Sequence, residues 1–191
     1  MSDQAYEQAV RKLSELNAVE IIPNSNPAHA GILFSVLFDR ARAEVKVFSK
    51  MLFPQAYNDK VTEAFKNACA RGVRFTFLLE SVPNSENGFY KAIQEMINNG
   101  SELVRLHILP SAPTAETPDR NNALIRVKEY GRHMCVVDKS SFRLEQSHVD
   151  CTAFASMNRP DLASNLDRMF NSFLQAAPDP YHLKEKKAEA K

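Results

Sequence analysis

The sequence predicts an α/β fold with a mixed, largely parallel central sheet and helices on both faces. Between residues 19 and 109, short apolar runs with period-two alternation take turns with longer runs whose apolar residues have helical spacing. That order is typical of right-handed crossovers between parallel strands. Three more strand patterns follow between residues 123 and 155, and a last helix pattern begins at Asn158.

The first part of the chain alternates helices with strands. Residues 5–16 form an amphipathic pattern, and the strand pattern 19–22 ends at Pro23, which begins a run of turn residues. A second helix is predicted over 28–42, and the alternating run 44–49 predicts the next strand.

The third helix is predicted to begin at Tyr57 or Lys60 and to end at Ala70, because Gly72 is a usual C-terminal stop. The run 73–79 is the clearest strand pattern in the sequence.

A fourth helix is predicted to follow Asn84 or Ser85 and to stop at 98–100, before a strand over 103–109. The segment from Pro110 to Asn122 contains three prolines and has no apolar periodicity. It predicts a surface loop, and a loop of that length in a compact domain is either functional or mobile.

The strand patterns of the C-terminal half lie at 123–128, 133–137 and 151–155. The short connection after residue 137 predicts a hairpin with residues 142–144. These patterns divide the chain into an N-terminal helix (1–18), an α/β domain (19–177) and a charged, flexible tail (178–191).

Composition limits the classes of function. The 191 residues and 44% hydrophobic content suit one domain with a sizeable core, and the net charge of +1 gives no global attraction to nucleic acid or to an anionic membrane. No apolar run is long enough to cross a bilayer, and the polar start does not suit a secretory signal, so a cytoplasmic protein is expected. Cys69, Cys135 and Cys151 lack CxxC spacing and are expected to be buried thiols; no metal and no cofactor is expected.

One segment resembles a known family. The run Tyr130-Gly-Arg-His-Met-Cys-Val-Val-Asp138 is followed by Phe-Arg-Leu at 142–144 and by Ala-Ser-Met-Asn at 155–158, where a helix of the type Asn-x-Pro-x-Leu begins. Over roughly residues 19–176 this layout resembles the phospholipase D superfamily. In that family a strand carries His, then Lys two residues later and Asp five residues after that, and a Gly-Ser pair and an Asn follow.

Most of the family's chemical groups are replaced in this sequence. With Asp138 at the family Asp, Gly131 stands at the nucleophilic His and His133 at the Lys. Glu145 and Gln146 stand at the Gly-Ser pair, and Val149 stands at the Asn. The resemblance therefore implies a phospholipase-D-like fold with a degenerate motif, and a pseudoenzyme that acts as a binding or accessory module.

The family's chemistry defines the alternatives. Its members transfer a phosphoryl or phosphatidyl group through a phosphohistidine without a metal, and they use two copies of the motif. This chain has room for one copy, so the resemblance implies a homodimer. Small stand-alone members resemble bacterial DNA-handling or defence proteins, which makes DNA or RNA the expected ligand class. A metal-independent phosphodiesterase or nuclease, and a structural subunit that binds a partner protein, remain as alternatives.

The candidate catalytic residues are His133 and Asp138, and the candidate ligand-binding residues are Lys128, Arg132, His133 and Glu145. His133 is expected to point into the same cleft as the family's His and Lys, where it could bind phosphate when protonated or serve as a displaced nucleophile. The alternative is that it only caps or hydrogen-bonds within the sheet, and this or a binding role is favoured over catalysis. Glu145 brings negative charge to that cleft and opposes anion binding. With the family's His and Lys lost, Asp138 is expected to act in an end-of-strand turn.

Overall fold

The computed structural model describes residues 1–109, 133–147 and 152–177, together with Pro180. Within these residues the chain forms five helices and seven strands. The helices are α1 (Asp3–Glu15), α2 (Pro27–Arg40), α3 (Asp59–Ala70), α4 (Gly88–Asn98) and α5 (Pro160–Gln175). The strands are β1 (Ile22–Asn24), β2 (Glu44–Ser49), β3 (Arg74–Leu79), β4 (Val104–Ile108), β5 (Met134–Val137), β6 (Ser141–Ser147) and β7 (Thr152–Ser156).

The described strands form one mixed sheet in the order β1-β7-β6-β5-β2-β3-β4. Only the β2–β3 and β3–β4 pairs are parallel among them, and the other four pairs are antiparallel. The prediction of a mixed α/β sheet is confirmed, but "largely parallel" is wrong. The C-terminal strands are joined by connections too short for a crossover, so β5, β6 and β7 pair antiparallel.

Helices cover both faces of the sheet. Strand residues such as Val47, Phe77 and Cys135 point to one face, where they form a core with α1, α2, α3 and α4. Their neighbours along the strands, such as Phe48 and Val136, point to the other face and pack against α5. The alternation in the sequence thus places β2 and β5 between two apolar layers.

Helix ends follow the capping residues of the sequence. The side chains of Asn26, Asn58 and Asn87 accept hydrogen bonds from backbone N–H groups in the first turns of α2, α3 and α4. Gly72 has a φ of +87° just after α3, a conformation that glycine adopts without strain. The predicted helix stop at this glycine therefore has its expected backbone geometry.

The predicted hairpin is present between β5 and β6. Its turn contains Asp138 and Lys139, whose φ angles are 49° and 54°, and Ser140 donates its N–H to the carbonyl of Val137. Positive φ at both central positions suits the right-handed twist of the paired strands. The turn brings the ends of β5 and β6 together, and this fixes which residues face each other across the pair.

The first strand differs from its prediction, because it runs from Ile22 to Asn24 and includes Pro23. Proline is tolerated here because β1 lies at the edge of the described sheet. The carbonyl of Pro23 accepts a hydrogen bond from the Tyr6 hydroxyl of α1 at 2.9 Å. The predicted loop 110–122 and the predicted strand 123–128 lie outside the described residues, as does all but Pro180 of the predicted tail.

Candidate functional site

Four polar side chains converge at one end of the sheet. Ser49 is the last residue of β2, and His133 directly precedes β5, which runs antiparallel to β2. Glu145 lies near the end of β6, and Asn24 is the last residue of β1. The parallel strands β3 and β4 also end at this edge, which is where ligands usually bind in open α/β sheets.

His133 is held on several sides. Its side chain is buried, with a relative exposure of 6% for the residue, and its ring stacks on Phe53 with centroids 5.7 Å apart. Nδ1 lies 3.0 Å from the Ser49 hydroxyl, and Nε2 lies 3.7 Å from a carboxylate oxygen of Glu145. The ring is therefore fixed in orientation.

Ser49 determines which ring nitrogen carries hydrogen. The Ser49 hydroxyl donates its single hydrogen to the carbonyl of Met51 at 2.6 Å. Its oxygen is then an acceptor for His133, so the hydrogen between the two side chains belongs to Nδ1. Nε2 is the ring nitrogen that faces Glu145.

A buried arginine stands beside Glu145. Arg143 lies two residues earlier on the same face of β6, donates from Nε to the Asn24 side-chain oxygen at 3.0 Å, and places its guanidinium 5.0 Å from the centre of the Phe34 ring. Burial lowers the pKa of Arg143, and the nearby Glu145 carboxylate opposes that shift. The opposite charges of Arg143 and Glu145 thus lie in the same buried polar layer.

Tyr57 adds a hydroxyl group to this layer from the loop before α3. Burial raises the pKa of Tyr57, Cys135 adds to the shift and Arg143 opposes it. Its ring packs against that of Phe34 on α2, with centroids 4.6 Å apart. Helix α2 and the loop before α3 therefore cover the polar layer on the helical side of the sheet. The phenol stays neutral in this setting and can only act as a hydrogen-bonding group.

Asp138 lies at the opposite end of β5 from His133. Its carboxylate accepts three backbone hydrogen bonds, from the N–H groups of Arg42 (2.9 Å), Ala43 (3.0 Å) and Glu44 (2.8 Å). These hydrogen bonds connect the β5–β6 turn to the segment that leads from α2 into β2. The structure therefore brings His133 and Glu145 together and separates both from Asp138.

The other predicted ligand-binding residues, Lys128 and Arg132, lie outside the described residues, as do Gly131 and Val149. Sequence reasoning missed Ser49, Arg143 and Asn24. Arg143 was the one with a usable signal, because it stands between Phe142 and Leu144 in a strand that both layers cover, and a charged residue there must be buried. Ser49 and Asn24 had no such signal, since their partners lie 84 and 119 residues away in the sequence.

Among the described residues no group of three or more His, Cys, Asp and Glu side chains is arranged to hold a metal ion. None of the helices in the described ranges is long and apolar enough to cross a membrane.

Comparison with known proteins identifies the architecture. No protein-family model and no curated protein sequence matches this chain. A phospholipase D family member, Nuc from Salmonella typhimurium, superimposes with a TM-score of 0.54 at 14% identity, covering 84% of this chain and 95% of that one. The chain has the phospholipase D superfamily fold. NucT from Helicobacter pylori matches similarly, with a TM-score of 0.52, 12% identity and coverage of 84% and 99%.

A further structural match is a DNA-binding protein. TrmBL2, an archaeal chromatin protein described with a novel mode of DNA binding, matches with a TM-score of 0.56 and 12% identity. The match covers 92% of this chain and 61% of TrmBL2. Identities this low establish a shared fold and leave chemistry to be argued from the residues.

Proposed function

We propose that this phospholipase-D-like protein is a non-catalytic binding or accessory module whose ligand class is nucleic acid. The observation that carries the proposal is the state of His133, which is buried, fixed by Ser49 and placed beside Glu145. A phosphohistidine route needs a histidine that an incoming phosphate can reach in line. His133 lacks that access in the described structure.

Electrostatics support the same conclusion. Glu145, which the sequence resemblance aligns with the family's Gly-Ser pair, is only 6% exposed. A buried carboxylate repels a phosphate strongly, because a low-dielectric surrounding screens the two negative charges poorly. The Arg143 guanidinium is buried beside Glu145 and already donates to Asn24, so it is not available to an external phosphate.

Nucleic acid is proposed as the ligand because a protein of the same fold, TrmBL2, is a chromatin protein with a described mode of DNA binding. A net charge of +1 means that the attraction has to come from a local group of basic side chains. We also propose that the protein is cytoplasmic and forms a homodimer. The single copy of the motif suggests the dimer. Sedimentation of a particle of about twice 21.5 kDa would support the dimer, and a clean monomer would remove it.

A second candidate is a metal-independent phosphodiesterase or nuclease that uses His133. The favouring observation is the Ser49 hydrogen bond, since a partner on Nδ1 leaves Nε2 as the nitrogen for attack or proton transfer. Movement of Glu145 away from Nε2 would have to precede such a reaction. Access for the substrate is therefore what separates the two candidates.

One gel series separates these functions. Labelled single-stranded and double-stranded DNA and RNA are incubated in EDTA with the wild type, His133→Ala and His29→Ala at several salt concentrations. The control residue His29 is also buried, but it lies on α2 and stacks on Tyr6. We expect salt-sensitive retardation without cleavage in all three proteins.

Cleavage that His133→Ala alone abolishes would overturn the non-catalytic proposal and establish the nuclease. Retardation of no probe would remove nucleic acid as the ligand. The structural accessory role, with a partner protein, would then be the remaining proposal.

A further inference from the structure

One part of the sheet is left open by the described helices. Helix α5 packs on β2, β5 and β6, and no comparable helix of the described chain lies over β3 and β4 on that side. The side chains that point there from the lower part of β3 and β4 are Arg74, Thr76 and Arg105. Their strand neighbours Phe75, Val104 and Leu106 are buried in the core on the opposite face.

The two arginines are close neighbours. Arg105 lies directly opposite Thr76 in the parallel β3–β4 pair, two residues along from Arg74. Strand spacing and rise per residue put their Cα atoms about 8 Å apart. This separation is similar to the rise over two nucleotides of a strand, about 7 Å, so both guanidinium groups can reach phosphates of one strand.

Neither arginine is paired with a carboxylate among the residues that the structure describes. Both are exposed, and no hydrogen bond or ion pair links Arg74 or Arg105 to another side chain in the described part of the chain. Glu44 is the register partner of Arg74, but its carboxylate lies 3.6 Å from the ammonium of Lys46. Exposed lysines on the helices differ, because Lys60 and Lys66 both have carboxylate partners.

We propose that Arg74 and Arg105, with the Thr76 hydroxyl between them, bind the sugar-phosphate backbone of a nucleic acid on the open face of β3 and β4. This inference rests on the proposed nucleic-acid-binding function, and it moves the contact surface from the His133 cluster to the far side of the sheet. Paired guanidinium groups suit phosphate because each offers several donors in a fixed plane.

The chemistry of this face also sets the kind of recognition. The aromatic residues of β3, Phe75 and Phe77, point into the core, so they are not available for base stacking. Contacts from arginine and threonine to phosphate and sugar position a strand without reading its bases. The binding is therefore expected to be independent of sequence and sensitive to salt.

The test measures anisotropy of a fluorescein-labelled single-stranded oligonucleotide over a series of salt concentrations. The double variant Arg74→Ala/Arg105→Ala should raise the Kd roughly ten-fold or more and reduce the slope of log K against log salt by about 1.4. The double variant Arg74→Lys/Arg105→Lys keeps both charges and should keep the slope. Circular dichroism and thermal unfolding show whether each variant is folded.

The matched control is Lys60→Ala/Lys66→Ala on α3. It removes the same net charge from exposed side chains on the opposite layer, and it should leave the slope unchanged. An equal loss in the arginine and lysine variants would mean a global charge effect and overturn the proposed face. Full binding by both double alanine variants would place the contact elsewhere and leave the proposed function standing, whereas absence of binding by the wild type would overturn the function and the face together.

Discussion

The Ser49 hydroxyl oxygen lies 3.0 Å from Nδ1 of His133, although the two residues are 84 positions apart in the chain. The contact links the end of β2 to the residue that directly precedes β5. It fixes His133 within a buried polar layer.

The first prediction concerns this contact. Ser49→Ala leaves the buried Nδ1–H without its acceptor and should lower the free energy of unfolding by about 1–3 kcal/mol. Urea denaturation gives the value. Ser35→Ala is the matched control, because Ser35 is equally buried but donates only to a carbonyl of its own helix. Equal losses in the two variants would show that the Ser49–His133 bond has no special weight.

Asp138 supplies the second prediction. Asp138→Ala removes an acceptor shared by three backbone N–H groups and should cost about 1.5–3 kcal/mol in unfolding free energy. Asp138→Asn keeps one acceptor oxygen and tolerates the positive φ, so it should be less costly. Asp161→Ala, which removes an exposed carboxylate that pairs mainly with Arg159, should cost less than Asp138→Ala. A harmless Asp138→Ala would contradict the tie between the hairpin turn and β2.

The third prediction concerns the Lys46–Asp167 pair between β2 and α5, whose side chains are 12% and 6% exposed. Asp167→Ala leaves the Lys46 ammonium with the Glu44 carboxylate, 3.6 Å away, as its remaining partner and should destabilise by about 1–3 kcal/mol. The double variant Lys46→Met/Asp167→Leu should recover most of that loss, because two apolar side chains need no compensation. Thermal and urea unfolding of the single and double variants measure the difference. A double variant as unstable as the single one would show that the remaining contacts of Asp167, to Asn171 and Lys139, matter more.

Thiol reactivity gives the fourth prediction. Burial raises the pKa of Cys135 to about 12 and of Cys69 to about 11, with smaller opposing effects from Arg143 and Arg71. A raised thiol pKa leaves little thiolate at pH 8, so both cysteines should react slowly with an aromatic disulfide reagent in the native protein and rapidly in urea. Rates in the native protein should increase as the pH rises towards these values. The Cys151→Ser variant isolates the two thiols, and fast native labelling would contradict their burial.

The helices and the hairpin were predictable because they depend on local patterns. The stop at Gly72 and the short connection after Val137 act within a few residues, so the sequence indicates them directly. The Asn caps were not predicted, and α4 begins at Gly88 rather than directly after Asn84 or Ser85. Strand direction depends on which distant segments meet, and the antiparallel β2–β5 pair joins residues about 90 positions apart. The sheet was therefore predicted as more parallel than it is.

The candidate site also has parts that the sequence could predict and parts that it could not. The motif layout predicted that His133 and Glu145 share a cleft, and in the structure Nε2 of His133 lies 3.7 Å from a carboxylate oxygen of Glu145. The partners Ser49 and Asn24 come from strands far away in the sequence, and single-sequence patterns do not show such pairings. The open face of β3 and β4 was also hidden, because its arginines alternate with core residues as any solvated strand face does.

The contact between Tyr6 and Pro23 protects the protein against misassembly. A sheet edge recruits another strand through its free N–H and C=O groups, yet Pro23 has no N–H and its carbonyl already holds the Tyr6 hydroxyl. Helix α1 therefore helps to keep the β1 edge from templating fibres or strand-exchanged aggregates. A version of the chain that begins after α1 would expose that carbonyl beside the apolar side chains of Val19 and Ile21, which are already 55% and 42% exposed, and it should aggregate at lower concentrations than the full chain.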